Sequence, residues 1–427
     1  MNEWNRNRVR ELAPEYVTIY ESPDPSRIFA YSPGIAILPN GRLIATLDIS
    51  GPGMAEMPGP SRRIEGGALW CGKIYTSDDN GRSWTHRADF PFMHARPFVA
   101  GDSVYVLGHC HDLTVISSND GGVTWSEPRT LTEGQCWHQS PANVVHANGN
   151  VYLVMERITK PDIHGWPVSV MAPVLLRGRE DADLTRRDNW TFASELIFEE
   201  AVPEDELDYF GVPFYRVEGK GGHNRIVPGR TCFRMGWLET NIVRFVDENH
   251  YFFDPTGRTF HLWMRAHTGG TGFAAMAKAV EREDGTIETM LETTPSGKRI
   301  AFVPCPGGQM KFHIVYDEIS QLYWLLSTQA TDSMTRAEKL SDDRFSLPNN
   351  ERNRLQLHFS KNAIDWCFAG LVAKTEHSAA ARHYASMVIA GDDLLILSRS
   401  GDESASCAHN GNLITLHRID RFRELAY

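Results

Sequence analysis

Very little in this sequence points to a membrane, a nucleic acid or a disulfide scaffold. No apolar run approaches the roughly 20 residues that a helix needs to cross a bilayer. Met1 to Val17 is polar and charged and lacks the apolar core of a secretory signal, so the expected location is the cytoplasm, with no membrane contact. Positive charge is scarce: 43 Lys and Arg stand against 54 Asp and Glu, a net charge of −11. That balance argues against a nucleic-acid partner. It leaves room for an anionic ligand, because a local arginine cluster overrides the global sign. The seven cysteines (Cys71, Cys110, Cys136, Cys232, Cys305, Cys367 and Cys407) are odd in number and share no short spacing. They give neither a disulfide framework nor a zinc pattern. Cys110 lies between His109 and His111, but no second Cys/His cluster accompanies it. No metal and no cofactor are expected. Long helical periodicity is missing as well.

What the chain does have is repetition. With 41% hydrophobic and 23% charged residues over 427 positions, it has the composition of an ordinary globular protein with a large core. Six times, a short apolar strand runs into a tight polar turn and a second apolar strand. The first strands of these hairpins are residues 32–38, 96–99, 142–145, 240–243, 312–315 and 386–389, and the second are 43–45, 104–106, 151–154, 260–263, 323–326 and 394–397. Two further turns share one pattern, S-x-D-x-G-x-[S/T]-W, from Ser77 to Trp84 and from Ser118 to Trp125. Asp caps its own turn and Gly supplies the left-handed backbone, while Trp starts the next strand and packs the turn down. A degenerate third copy runs from Ser360 to Trp366 without the glycine. Glu199–Arg230 is rich in aromatic and charged residues and is expected over one mouth of the ring. Gly51–Gly67 and Thr331–Glu351 are expected as long loops. Six hairpins without a linker predict an all-β, six-bladed propeller occupying residues 1–427 as one domain.

In a propeller the starts of the inner strands face the central channel, so chemistry is sought there. Glu239 immediately precedes a buried strand, where a charge needs a partner. The same hairpin ends in Trp263-Met264-Arg265, which delivers an arginine beside it. Arg352 and Arg354 precede another apolar strand, and Arg382-His383-Tyr384 opens the last hairpin. His138 opens the third, with His94, Arg96, His109 and His111 nearby in sequence.

The two S-x-D-x-G-x-[S/T]-W turns resemble the Asp-box of the sialidase superfamily, where it marks fold rather than chemistry. The resemblance extends over most of the chain. Glu239 and Arg265 resemble the glutamate and the arginine that such enzymes carry around one hairpin. Arg352, with Arg354 as its neighbour, resembles a further arginine, and Tyr384-Ala385-Ser386-Met387 resembles the segment whose tyrosine is the nucleophile. This implies an exo-acting glycoside hydrolase that releases a terminal acidic sugar from a glycan with retention. Tyr384 attacks, Glu239 is its base, arginines clamp the carboxylate, and a carboxyl after the first hairpin, Asp48 or Glu65, protonates the leaving oxygen. The family's first arginine is missing, because Tyr31-Ser32-Pro33 stands in its place, and Arg382 is the expected substitute. Arg96 is a further expected substrate contact. Two alternatives stand beside this reading. One is a polysaccharide or oligosaccharide lyase acting next to a uronate through His138 and Tyr384. The other is a non-catalytic glycan-binding propeller.

Overall fold

The computed structural model describes residues 9–63, 67–163, 166–202, 223–227, 230–233, 235–266, 272–332, 335, 339–341 and 351–427. Glu65, the Glu199–Arg230 segment beyond Val202 and most of Thr331–Glu351 lie outside them or are described in backbone only. Among the described residues, six antiparallel sheets of four or five strands follow one another along the chain. Their innermost hairpins are Phe29–Ile37 with Leu43–Ser50, Met93–Ala100 with Ser103–Cys110, Val145–Ala147 with Asn150–Ile158, Trp237–Val243 with Thr259–Ala266, His313–Asp317 with Leu322–Thr328, and Ala381–Ala390 with Asp393–Gly401. They correspond to the six hairpins read from turn signals. The sixth blade is completed by the strand Val17–Glu21, which pairs with Leu413–Ile419 and closes the ring.

Side chains of neighbouring blades meet face to face. Leu107, Leu153, Leu176, Trp237 and Leu262 belong to one continuous core, and Leu47, Leu397 and Ile414 join the first blade to the last. Polar clamps add direction to this packing around the channel. Asn143 donates to Ile242 O at 2.7 Å and to Ile314 O at 3.0 Å, and accepts from Ile242 N at 2.8 Å. Asn241 repeats the device one blade on, donating to Phe312 O and accepting from Ile314 N. Each satisfies backbone groups that inner strands of different blades cannot offer one another.

The patterned turns fold alike. Ser77 donates to Asp79 at 2.8 Å and accepts from Gly81 N. Asp79 accepts from Ser83 N and Oγ, and Trp84 Nε1 caps Gly81 O at 3.1 Å. Ser118, Asp120, Gly122, Thr124 and Trp125 make the same set. These bonds hold the Asp79 carboxyl down at about pH 2. In the degenerate copy Asn362 takes the Asp position and Ala363 adopts φ 57°. Cys71, Cys110, Cys305, Cys367 and Cys407 carry free thiols.

Gly81 has φ +85°, and a Cβ there would sit 2.3 Å from Leu416 Cδ2, whereas Gly41 has φ +84° with open space around it. Gly41→Ala is expected to cost only the left-handed backbone, about 1–2 kcal/mol. Gly81→Ala adds overpacking of about 1–3 kcal/mol. Urea midpoints of the two variants measure the difference, and equal shifts would contradict this account of the turn.

Candidate active site

Four of the six inner hairpins carry the same irregularity near the channel mouth. In each, two residues of the first strand oppose one of the second: Ser32-Pro33, His94-Ala95, Glu239-Thr240 and Tyr384-Ala385. The first residue of each pair is left-handed, with φ 46°, 54°, 57° and 50°. These are β-bulges of the glycine type built without glycine, at a cost of about 1–3 kcal/mol each. The extra residue breaks the in–out alternation and re-aims its own side chain. On the partner strand, the position just beyond each bulge holds Asp48, His109, Arg265 or Arg399.

A buried polar side chain from the preceding blade holds three of the bulges. Asp48 Oδ2 accepts from His94 N at 2.8 Å. Glu156 Oε1 accepts from Thr240 N at 3.0 Å and from its hydroxyl at 2.7 Å. Lys311 Nζ donates to Ala385 O at 2.6 Å and to Ser386 Oγ at 3.2 Å. Burial shifts each of them toward its neutral form: Asp48 well up, Glu156 up to about 8 and Lys311 down to about 7.

Tyr384 stands at the centre of the mouth. Arg265 Nη1 donates to its hydroxyl at 2.6 Å and to Glu239 Oε2 at 3.2 Å. The Arg265 guanidinium is further fixed by Nε donating to Gln309 O at 3.0 Å. Arg352 and Arg399 lie 5.4 and 5.3 Å from the Tyr384 ring centre. All these groups are buried. Burial and Glu239 raise the Tyr384 hydroxyl against the pull of Arg265 and Arg352, so it is neutral until acted upon. Burial, with Arg399 and Arg265 as neighbours, lowers Arg352 to about 9, which leaves it charged at neutral pH.

Arg399 is the residue that the sequence reading missed. Its guanidinium stacks 4.2 Å over Tyr31, the tyrosine standing where the resemblance expected an arginine, and bonds His409 O. Its signal was positional: Arg399 follows Tyr384 by the same interval as His109 follows His94, and it ends its hairpin as Arg265 ends another. Arg382, expected as the substitute, turns away. It donates to Ala381 O and Gly401 O and stacks on Tyr16. Arg354 is exposed on its strand, while Arg352 faces the site. Arg96 stands apart from this cluster, with Glu156 as the charge that bears on it, and it in turn lowers Lys311 and His313. Asp48 is wholly enclosed beneath the His94 bulge. Glu65 is outside the described residues.

His138 belongs to an arc of rings within the field of Glu239 and Arg265. His94 Nδ1 lies 2.9 Å from His109 Nε2, and the His138 ring is 4.9 Å from that of His94. Trp70 and Tyr31 continue the arc toward Arg399. Burial holds all three imidazoles below their usual range and therefore neutral. No group of three His, Cys, Asp or Glu side chains able to hold a metal occurs among the described residues.

The Glu156 contacts carry a pH signature. Its folded value near 8 lies above the unfolded value near 4.3, so its stabilising proton is fully held below about pH 4 and is lost as the pH rises toward 8. Glu156→Gln keeps the acceptor for Thr240 and has no proton to lose. Its Tm relative to wild type is expected to climb between about pH 5 and 8, followed by thermal melts. A difference that is constant with pH would contradict this assignment.

No protein-family model matches the sequence, and no curated protein matches it either. Solved structures do. The alpha-L-arabinanase of Penicillium chrysogenum, complexed with arabinobiose, is similar at 11% identity and TM-score 0.50, over 96% of this chain and 99% of that one. A Trypanosoma rangeli sialidase mutant displaying trans-sialidase activity aligns at 12% and TM-score 0.51, over 97% of this chain and 60% of that one. The Hadza microbial sialidase Hz136 aligns at 13% and TM-score 0.52, over 95% and 68%. Likeness at this identity speaks for the fold alone, and that fold is the six-bladed β-propeller described above.

Proposed function

We propose that this protein is a retaining glycoside hydrolase acting on a terminal carboxylated sugar. The observation that carries the reading is the Tyr384 hydroxyl, held by Arg265 at 2.6 Å beside Glu239 and flanked by Arg352 and Arg399. A sugar with a carboxylate on its anomeric carbon would repel a carboxylate nucleophile, which a neutral phenol avoids. Three guanidiniums in a site sheltered from water supply the complementary charge. Glu239 takes the phenolic proton as the Tyr384 oxygen attacks the anomeric carbon and the glycosidic C–O bond breaks. The leaving oxygen is protonated by an acid. Asp48 or Glu65 is the expected donor; Asp48 is buried beneath the His94 bulge and Glu65 lies outside the described residues. Water then cleaves the tyrosyl glycoside with the same acid group acting as base, and the configuration is retained. The S-x-D-x-G-x-[S/T]-W turns, read as Asp-boxes, accord with this assignment. Propeller glycosidases among the similar structures, two of them sialidases, give the reading its class and leave the sugar open.

A lyase is the second reading, favoured by one observation. His138 is neutral, its Nδ1 has no partner among the described residues, and it feels both Glu239 and Arg265. Such an imidazole suits proton abstraction next to a uronate, whereas it is a poor acid. A non-catalytic binding propeller rested on the missing arginine, and the Arg399 guanidinium over Tyr31 weighs against it.

Incubation with sialyl and uronate-capped oligosaccharides, followed by mass spectrometry, separates the readings. Hydrolysis gives a product pair heavier than its parent by one water, and elimination gives a pair summing to the parent mass with one unsaturated member. Under the hydrolase reading Tyr384→Phe and Glu239→Gln each lower kcat by about 10²–10⁴. Arg399→Lys, which loses the planar fork, raises KM for carboxylated sugars at least tenfold, while Arg354→Ala leaves both constants near wild type. Full activity in Tyr384→Phe would end the proposal.

A further inference from the structure

The side chains around Tyr384 form a closed circuit. Arg399 lies 5.3 Å from the Tyr384 ring centre and 4.2 Å from that of Tyr31. Tyr31 meets Trp70 at 5.0 Å, Trp70 meets His94 at 6.2 Å, and His94 meets His138 at 4.9 Å between ring centres. His138 feels the charge of Arg265, whose Nη1 returns to the Tyr384 hydroxyl. Trp70 and His94 thus lie midway round the circuit from the phenol. The imidazoles on this stretch are short of partners. Their rings make one hydrogen bond among the described residues, 2.9 Å between His94 Nδ1 and His109 Nε2. His94 Nε2, His109 Nδ1 and both His138 nitrogens are left free, and of these only His138 Nδ1 is fully enclosed. Burial keeps the rings neutral, so in the bonded pair one donates and the other accepts. Whichever tautomer holds, the two outer nitrogens are then one donor and one acceptor. A sugar hydroxyl, which donates and accepts, suits both of them, whereas a carboxylate, which only accepts, suits one.

We propose that Trp70, His94, His109 and His138 form the subsite for the leaving half of the substrate, and that this half is a neutral sugar. Its ring packs on Trp70, which is half-buried, and its hydroxyls bond the free imidazole nitrogens. The inference depends on the retaining hydrolase reading. In-line attack by the Tyr384 oxygen expels the leaving oxygen on the far face of the anomeric carbon, toward the Trp70–His94 stretch of the circuit. Asp48, one of the two expected acids, sits at that stretch, bonded to His94 N at 2.8 Å. The guanidiniums of Arg265, Arg352 and Arg399 gather about the phenol instead, so carboxylate and leaving sugar meet different walls. Arg62 stands opposite Trp70 at the sheet edge but is exposed, where solvent screens its charge.

Glycosides of the carboxylated sugar identified by the mass-spectrometric panel test this, with glucose, glucuronate or 4-methylumbelliferone as the leaving group. Glucose and glucuronate differ only at C6. The wild-type protein is expected to cleave the glucose conjugate with kcat/KM about tenfold above that of the glucuronate conjugate. An equal or reversed preference, which would give the rim to Arg62, overturns the neutral assignment. In Trp70→Ala and in His138→Phe, the ratio of kcat/KM for the glucose conjugate to that for the 4-methylumbelliferyl glycoside is expected to fall about tenfold, chiefly through KM. The ratio cancels any general loss of folded enzyme. A ratio unmoved in both variants overturns the subsite and leaves the hydrolase reading standing. A panel in which nothing is hydrolysed ends both. If one variant does not fold, the other variant and the wild-type preference decide.

Discussion

The site rests on a backbone conformation that an ordinary side chain resists. Ser32, His94, Glu239 and Tyr384 each sit in left-handed space at the first position of a bulge. A regular strand would send alternate side chains into the blade interfaces, whereas the bulge redirects one of them to the mouth. The conformation persists because its surroundings over-determine it. Asp48, Glu156 and Lys311 each reach from one blade to fix the bulge of the next, so the first blade braces the second, the third the fourth and the fifth the sixth. These braces are buried ionisable groups largely held neutral, which makes them strong hydrogen-bond partners in a low-dielectric interior.

With the bulges fixed, the electrostatics of the mouth follow. Arg265, Arg352 and Arg399 converge on one phenol, and among the described residues Glu239 is the carboxylate between them. The arrangement is under-neutralised, and burial together with mutual repulsion draws Arg352 down to about 9. Such a site favours any ligand that brings a carboxylate, and it holds its donors in place beforehand, so that little reorganisation accompanies binding. The neutral histidine arc on the opposite side gives the same pocket a second, chemically distinct wall.

Much of this was legible in the sequence, and what was not has a physical reason. Turn residues such as Pro39-Asn40-Gly41 and Asn148-Gly149 announce hairpins through local backbone chemistry, so all six inner hairpins could be read. Glu239, Arg265, Arg352 and Tyr384 could be found because they stand at strand ends, where a charge or hydroxyl is out of place. Arg399 was hidden because it lies just past Leu397, where the apolar run ends, and only the bulge opposite it makes that position face the mouth. Asp48 was read as an acid because of its place after a hairpin. Its hydrogen bond to His94 N is a contact between blades, which spacing within one hairpin does not reveal. The alternation of apolar residues fixes which face of a strand is buried, but not the point at which a bulge reverses it.

The closing strand sets the order in which the molecule is made. Val17–Glu21 lies beside Leu413–Ile419, and the nearby bond from His417 to Ala13 O spans 404 positions. During synthesis the five earlier blades can form as the ribosome releases them, but the first strand stays unpaired until the last one emerges. Tyr384 and Arg399 belong to that final blade. The pocket can therefore be completed only once this blade has formed, and a chain stalled before Tyr384 would carry blades without the phenol or the third guanidinium. Once the ring is closed, the same long-range pairing gives it a slow exit from the native state, because unfolding must reopen a join that was late to form.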